Sequence, residues 1–202
     1  MNKFIFIQTL LLSAVLSSCK PQLESIDVTS GATVPHDQIV LPPANNDYRI
    51  LGHLNGLNNY VVEYSDTFYR GGEIYNQDLA LKALKKHGIK TIISIAPSEK
   101  ERVLCASYGI ALVEIPFGKE VGPSAADYEK YFQTLKTREG SFYIHCIGGS
   151  HRAGIFSAAY RIRLQGWSFN RAIIEYARLG GDLKVDHAML ETLRTITQEK
   201  AP

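Results

Sequence analysis

The run "HCIGGSHRAG", residues 145–154, sets a cysteine ahead of an arginine with five residues between them, two of which are Gly148 and Gly149. That pattern suits a tetrahedral anion. A short loop can turn successive backbone amides inward as a nest, and glycines permit the unusual backbone angles and close approach this needs. A helix opening at about Arg152 would add positive potential at the same point. Arg152 itself offers a planar fork that can pair with two phosphate oxygens. Cys146 lies at the bottom of the same cradle, where inward amides and Arg⁺ favour the thiolate over the thiol. Nucleophile and anion receptor thus share one loop, the alternative being a buried thiol beside a tight turn.

Such a loop works only if flanking elements hold it rigid. "SFYIHC" before it reads as a strand and "AGIFSAAYRIRLQG" after it as a helix. Upstream, "YVVEYSDTFYRGG" reads as one or two short strands ending at a glycine turn. "NQDLALKALKKHG" is a short helix with Asn76 as cap and Gly88 just past its end. "IKTIISI" is a continuous apolar run suited to a strand covered on both faces, and "SEKERVLCASYG" is a helix capped by Ser98. "IALVEIPF" is another buried strand. "PSAADYEKYFQTLKTREG" is a helix whose Tyr128, Phe132 and Leu135 share one face and which stops at Gly140. Two further helices are predicted from Ser168 to about Leu179 and from Asp186 to about Thr197. Trp167 and Tyr176 fit a helix-packing role. Strands alternating with helices predict an α/β fold, a single domain with a central, mainly parallel sheet flanked by helices. The Cys-x5-Arg loop would then lie at the carboxyl edge of that sheet.

The signature "HC-x-x-G-x-x-R", carried by His145, Cys146, Gly149 and Arg152 and followed by Gly154, resembles the active loop of the cysteine-dependent protein tyrosine and dual-specificity phosphatases. "FYRGGEIYNQDLALKALKKHGIKTIISI" resembles the opening of the atypical plant, fungal and bacterial dual-specificity phosphatases, and "GWSFNRAIIEYARLGG" their helical tail. The resemblance spans roughly residues 48–182. It implies that Cys146 attacks phosphorus to form a phosphocysteine. Arg152 and the amides of Ile147, Gly148, Gly149, Ser150, His151 and Arg152 would hold the equatorial oxygens. His145 would orient the loop, and water would hydrolyse the intermediate. No metal or other cofactor is implied, and the His145/Cys146 pair lacks the spaced partners of a zinc site. His151 would contact substrate or fill the loop. Arg70 would reach the phosphate site or form a surface ion pair.

The sequence departs from that pattern in three places. Ala153 stands where a hydroxyl residue usually assists release of the thiolate. Ile147 and Ser150 stand where inositol-phosphate-directed relatives carry lysines, although the His151–Arg152 pair is kept. The loop "EIPFGKEVGPSAADYEK" lacks the usual aspartate acid. Glu120 is the best substitute there, with Glu114 at a strand end and Asp127 within the next helix as weaker ones. A solvated loop charge is the other reading of Glu120.

Of the three cysteines, Cys19 ends "MNKFIFIQTLLLSAVLSSC", a stretch with an early lysine and an apolar run too short for a confident membrane span. Its ending resembles the bacterial lipobox. This implies a signal peptide over residues 1–18, lipid on Cys19, a flexible tether over 19–47 and a catalytic domain over 48–202. An ordinary signal peptide is the alternative. The expected location is outside the cytoplasm, anchored by lipid to a bacterial membrane. Cys105 reads as a small core residue, with a reversible Cys105–Cys146 disulfide as a second possibility. A formal charge of +2 and the absence of a basic block argue against nucleic acid as partner. The 202 residues, 45% of them hydrophobic, suffice for one domain, expected to act as a monomer. The expected partner is a phosphorylated protein or small molecule. The competing readings are a phosphate-binding pseudophosphatase, an inositol-phosphate or phosphoinositide phosphatase, and a sulfurtransferase. The last has a shorter loop and lacks the His–Cys…Arg context.

Overall fold

The computed structural model describes residues 47–198, in which six strands form one sheet with helices on both faces. The strands are β1 (Arg49–Gly52), β2 (Val61–Ser65), β3 (Phe68–Gly71), β4 (Ile89–Ser94), β5 (Ala111–Glu114) and β6 (Ser141–His145). The helices are α1 (Gln77–Lys86), α2 (Glu99–Tyr108), α3 (Ala125–Thr137), α4 (Arg152–Gln165), α5 (Phe169–Arg178) and α6 (His187–Gln198). The order across the sheet is β1-β2-β3-β6-β4-β5. β3, β6, β4 and β5 run parallel, while β1 and β2 add an antiparallel flank. The predicted mainly parallel α/β sheet is therefore present. "YVVEYSDTFYRGG" resolves into the two-strand alternative, β2 and β3.

Side-chain alternation splits the core in two. Ile93, Phe142 and Ile144 face Tyr128, Phe156, Ile173 and Leu193 of α3 to α6. Ile92 and Tyr143 face Leu81 and Leu84 of α1 and Cys105 of α2. Adjacent Ile92 and Ile93 are both fully buried, as a strand covered on both faces requires. The predicted caps also form: Asn76 and Ser98 accept from the amides of Leu79 and Glu101, and Gly88 takes a left-handed φ of 74° past α1.

Two details differ from expectation. β1 was not anticipated, because "RILG" has no fully buried residue and carries no alternation. On α3 the buried stripe is Tyr128, Tyr131 and Thr134, with Phe132 and Leu135 only partly covered. The helix is turned toward Tyr131, whose hydroxyl donates to the Phe156 carbonyl at 3.0 Å and so can enter the core with its polar atom satisfied. The signal segment, Cys19 and all of the tether but Asp47 lie outside the described residues. Asp47 is itself fastened: its carbonyl accepts from Arg161 and its carboxylate pairs with Arg171.

Helix α4 is buried along most of its length, and Arg161 is the charge it carries into the interior. Its Nε and Nη2 donate to the two carboxylate oxygens of Glu175, each at 2.8 Å, and its guanidinium stacks on Tyr64 and Trp167. Trp167 and Tyr176 thus serve helix packing. Burial pushes the Glu175 carboxyl up, and the Arg161 hydrogen bonds pull it back. Removing one partner of such a buried pair costs about 3–5 kcal/mol. Arg161→Met is expected to lose that much in denaturant titrations at neutral pH. It should lose less in mild acid, because a carboxyl whose folded value lies above its unfolded value sheds stability as pH rises through the folded value.

Candidate active site

The parallel strands end on one line. Gly71 of β3, His145 of β6, Ser94 of β4 and Glu114 of β5 are register partners in turn, so the loops that follow them emerge together. β6 lies between β3 and β4, which puts the loop after it in the central crevice where α/β sheets hold ligands.

In that loop Cys146 is buried, and its Sγ accepts from the Gly149 amide at 3.3 Å. The outward carbonyls have other partners. Ile147 O accepts from Asn58 Nδ2 at 3.2 Å and the Glu73 amide at 3.0 Å, and Gly148 O from Asn59 Nδ2 at 3.0 Å. Asn59 has a φ of 62°, a conformation asparagine tolerates better than most residues. Gly149 has a φ of 79°, and a Cβ there would overlap the Gly71 carbonyl. Ile147 is exposed on the rim, and Ser150 packs against Gly180. His151 is the cap residue of α4 but makes no side-chain cap bond, which leaves the first amides of α4 open.

Beneath the loop, His145 is fully buried. Its Nε2 meets Glu101 Oε1 at 2.6 Å, Ser94 Oγ donates to Glu101 Oε2 at 2.9 Å, and its Nδ1 faces the Cys146 carbonyl at 3.3 Å. Glu101 and Ser94 therefore fix the ring that supports the loop. Arg152 reaches the carbonyls of Ile95 and Phe117 through Nη1, at 3.5 and 3.4 Å, bridging the loops after β4 and β5. Arg70 is buried, which excludes the surface ion pair expected as one alternative. Its Nη2 donates to the Leu179 carbonyl at 3.1 Å, and its Nε and Nη1 have no partner. It packs behind the loop near Gly154 and Tyr176, adding buried positive charge rather than a surface contact.

The nominated acids separate clearly. Glu114 pairs with Arg102 at 2.6 Å, a bond that holds its carboxyl below the usual range. Asp127 forms the capping box of α3 with Ser124. Glu120 is exposed, as a solvated loop charge would be, and gains no burial to raise its carboxyl toward an acid's working range. Ala153 is fully buried, and the nearby hydroxyl of Ser157 donates to the Ala153 carbonyl at 3.1 Å. Cys105 sits in the core on the opposite face of the sheet from Cys146, and both thiols are free. That placement removes the disulfide possibility, and burial pushes the Cys105 thiol up to about 12. A groove of about 660 Å³ between β5 and α3, lined by Arg102, Glu114, Lys130 and Arg138 among others, has no cysteine in its lining.

Sequence reasoning missed Asn58, Asn59, Glu101 and Asp186. Asp186 is fully buried beside the loop, and its Oδ2 accepts from His151, the Tyr176 hydroxyl and the Asp182 amide. The doubled asparagine ahead of a strand was the one local signal among these. The others are ordinary helix or loop residues until folded.

A sulfur that accepts from an amide of its own loop, in a loop that ends at an arginine, can attack an anion held there. That chemistry on this parallel sheet is the mark of the cysteine-dependent tyrosine and dual-specificity phosphatase class. Within it, the chain belongs to the family described as DSP-PTPase phosphatase fused to NAD+ kinase, whose model matches residues 55–195. Dual specificity protein phosphatase TpbA of Pseudomonas aeruginosa (strain UCBPP-PA14) is 31% identical over 117 residues, 57% of this chain and 52% of that protein. The chain thus spans about half the length of that relative. A crystal structure of P. aeruginosa TpbA in complex with pTyr superposes with a TM-score of 0.60 at 22% identity, covering 77% of this chain and 99% of that one. PTPMT1 in complex with PI(5)P gives a TM-score of 0.53 at 20% identity, covering 68% and 96%. At these identities the two structures establish the shared fold.

The contact of Gly149 with Gly71 makes the cradle sensitive to a single methyl group. Gly149→Ala combines overpacking with a left-handed φ and is expected to cost roughly 2–5 kcal/mol. Thermal denaturation and loss of vanadate binding would measure the two consequences.

Proposed function

We propose that this chain is an exported, membrane-tethered phosphatase that hydrolyses phosphate monoesters, phosphotyrosine, phosphoserine or phosphothreonine, through a phosphocysteine intermediate. The observation that carries the reading is the Gly149 amide donating to Cys146 Sγ within a loop whose carbonyls are bonded outward. Those inward amides and Arg152 are preorganised for the equatorial oxygens, where charge gathers as the phosphoryl group transfers. The thiolate forms the S–P bond as the ester oxygen leaves. Water then forms a P–O bond as the S–P bond breaks, releasing phosphate and restoring the thiolate. His145, clamped by Glu101, holds the loop beneath the reacting sulfur.

The name of TpbA as a dual specificity protein phosphatase supports a phosphoprotein substrate. The PTPMT1 complex supports a phosphoinositide as the second reading. Exposed Ile147 favours the first, because a ligand with several phosphates gains from cations at that rim position rather than from an apolar side chain. The buried methyl of Ala153 bears on the pseudophosphatase alternative, since no hydroxyl follows Arg152 to assist the thiolate. Export and anchoring rest on the N-terminal sequence ending at Cys19. An acyl chain pair or more on that cysteine would suffice for lasting attachment.

With a chromogenic aryl phosphate, wild-type protein is expected to turn over and Cys146→Ser to be inactive while still binding substrate. Arg152→Lys should lose about 10²–10³-fold in kcat, the scale of a missing oxyanion donor. Binding without turnover by the wild type would establish the pseudophosphatase instead. Side-by-side rates on phosphotyrosine peptide, phosphoserine peptide and phosphoinositide rank the substrates. Cys19→Ala is expected to leave the membrane fraction and lose labelling by a radioactive fatty acid. An unchanged distribution would remove the lipid anchor.

A further inference from the structure

An ester oxygen leaving phosphorus needs a proton, and the loop after β5 offers no buried carboxyl to give it. Glu114 is ion-paired, Asp127 caps α3 and Glu120 is exposed. The cradle carries a different titratable side chain. His151, the residue before Arg152, places Nδ1 2.5 Å from Oδ2 of Asp186. Asp186 stands at the start of α6 and is fully buried.

We propose that His151, oriented by Asp186, is the general acid and base of this active site. The proposal rests on the phosphatase reading above. Oδ2 of Asp186 receives the Tyr176 hydroxyl and the Asp182 amide as well as His151, while Oδ1 has no partner. The contact with Oδ2 fixes the orientation of the ring, and an N–H at Nδ1 would join the Tyr176 hydroxyl and the Asp182 amide as donors to that oxygen. Among the side chains bonded to Asp186, that of His151 alone can carry positive charge. Nε2 lies on the opposite edge of the ring. It makes no hydrogen bond among the described residues, and the side chain, which belongs to the Cys-x5-Arg loop, is 30% exposed.

The charged and titratable groups around this pair leave the role to His151. Tyr176, from α5, has its hydroxyl pushed up by burial and by Asp186 and so remains a donor. Asp182 is occupied with the amides of Lys184 and Val185. Arg70 packs against Gly154 and Tyr176, and His187 of α6 faces Glu191. Within the loop, Arg152 binds carbonyls and Cys146 is the nucleophile.

The proton balance closes without a further reactant. As Cys146 thiolate forms the S–P bond and the P–O bond to the leaving group breaks, imidazolium Nε2 gives its proton to the departing oxygen. Neutral Nε2 next takes a proton from the attacking water. A P–O bond forms, the S–P bond breaks, and phosphate, thiolate and imidazolium are restored. His151 is the proposed catalytic residue, and Asp186 is a positioning residue that acts through it.

The test compares an ester that needs a proton, phenyl phosphate, with one that does not, dinitrophenyl phosphate, on the full-length protein. His151→Gln is expected to lower kcat on phenyl phosphate about 100-fold or more, the usual scale of general-acid catalysis, and to lower the dinitrophenyl rate by less than about tenfold. Asp186→Asn should show the same selectivity in weaker form. Vanadate inhibition reports the cradle independently, and His151→Asn provides a second replacement if the first does not fold. Equal losses on both esters in a variant that still binds vanadate overturn the proposal. So does a leaving-group-selective loss in Glu120→Gln instead. A wild type inactive on both esters, or turnover that survives Cys146→Ser, overturns the phosphatase reading itself and is distinct from either result.

Discussion

A loop can present its amides to an anion only if its carbonyls are satisfied elsewhere, and the rest of this structure is organised around that requirement. Asn58, Asn59 and the Glu73 amide draw the carbonyls of Ile147 and Gly148 away from the cradle. All three belong to the segments flanking β2 and β3, so the antiparallel side of the sheet serves the catalytic loop directly. The close approach of Gly149 to Gly71 follows from the same seating, since β3 and β6 end as register partners. Without those outward bonds, buried carbonyls would turn toward the ligand and repel it.

Around this seat, buried polar groups occur where they fix geometry. Glu101 and Ser94 hold His145 from the α2 and β4 side, and Asp186 holds His151 from the side of α5 and α6. The histidine at the end of β6 and the histidine of the loop are thus each clamped by a carboxylate. Arg161 performs a related task for the helices, tying α4 to Glu175 of α5 and to the backbone at Asp47 and Tyr64. Each group is expensive to bury alone and inexpensive once its partner is in place, so these contacts select one arrangement of helices around the loop.

Much of this was legible in order along the chain. The apolar run around Ile92 and Ile93, the caps at Asn76 and Ser98 and the glycine at 88 mark elements through local physics, and all of them form. The short strand β1 was not legible, because an exposed strand shows its pairing only when its partner is present. The burial stripe of α3 was misplaced by a residue because the Tyr131 hydroxyl finds a carbonyl on α4 that no local pattern announces. Of the two readings of Arg70, a surface ion pair or a residue reaching the phosphate site, burial excludes the first for the same reason: Leu179, its hydrogen-bond partner, is 109 residues away.

The site divides in the same manner. Cys146, Gly149 and Arg152 are close in sequence, and the chemistry of thiolate, amides and guanidinium follows from spacing and residue type alone. The sequence by itself therefore determined the strand, the loop, the helix and the kind of ligand they suit. What only the tertiary structure decided is which distant groups hold that loop open and which carboxyls remain available. Glu114 and Asp127 are consumed by local partners, Glu120 stays in solvent, and Asp186, unremarkable as text, is folded against His151. The physical reason is that a side chain's environment is set by whatever long-range packing places beside it, whereas backbone turns and helix starts are set by their immediate neighbours.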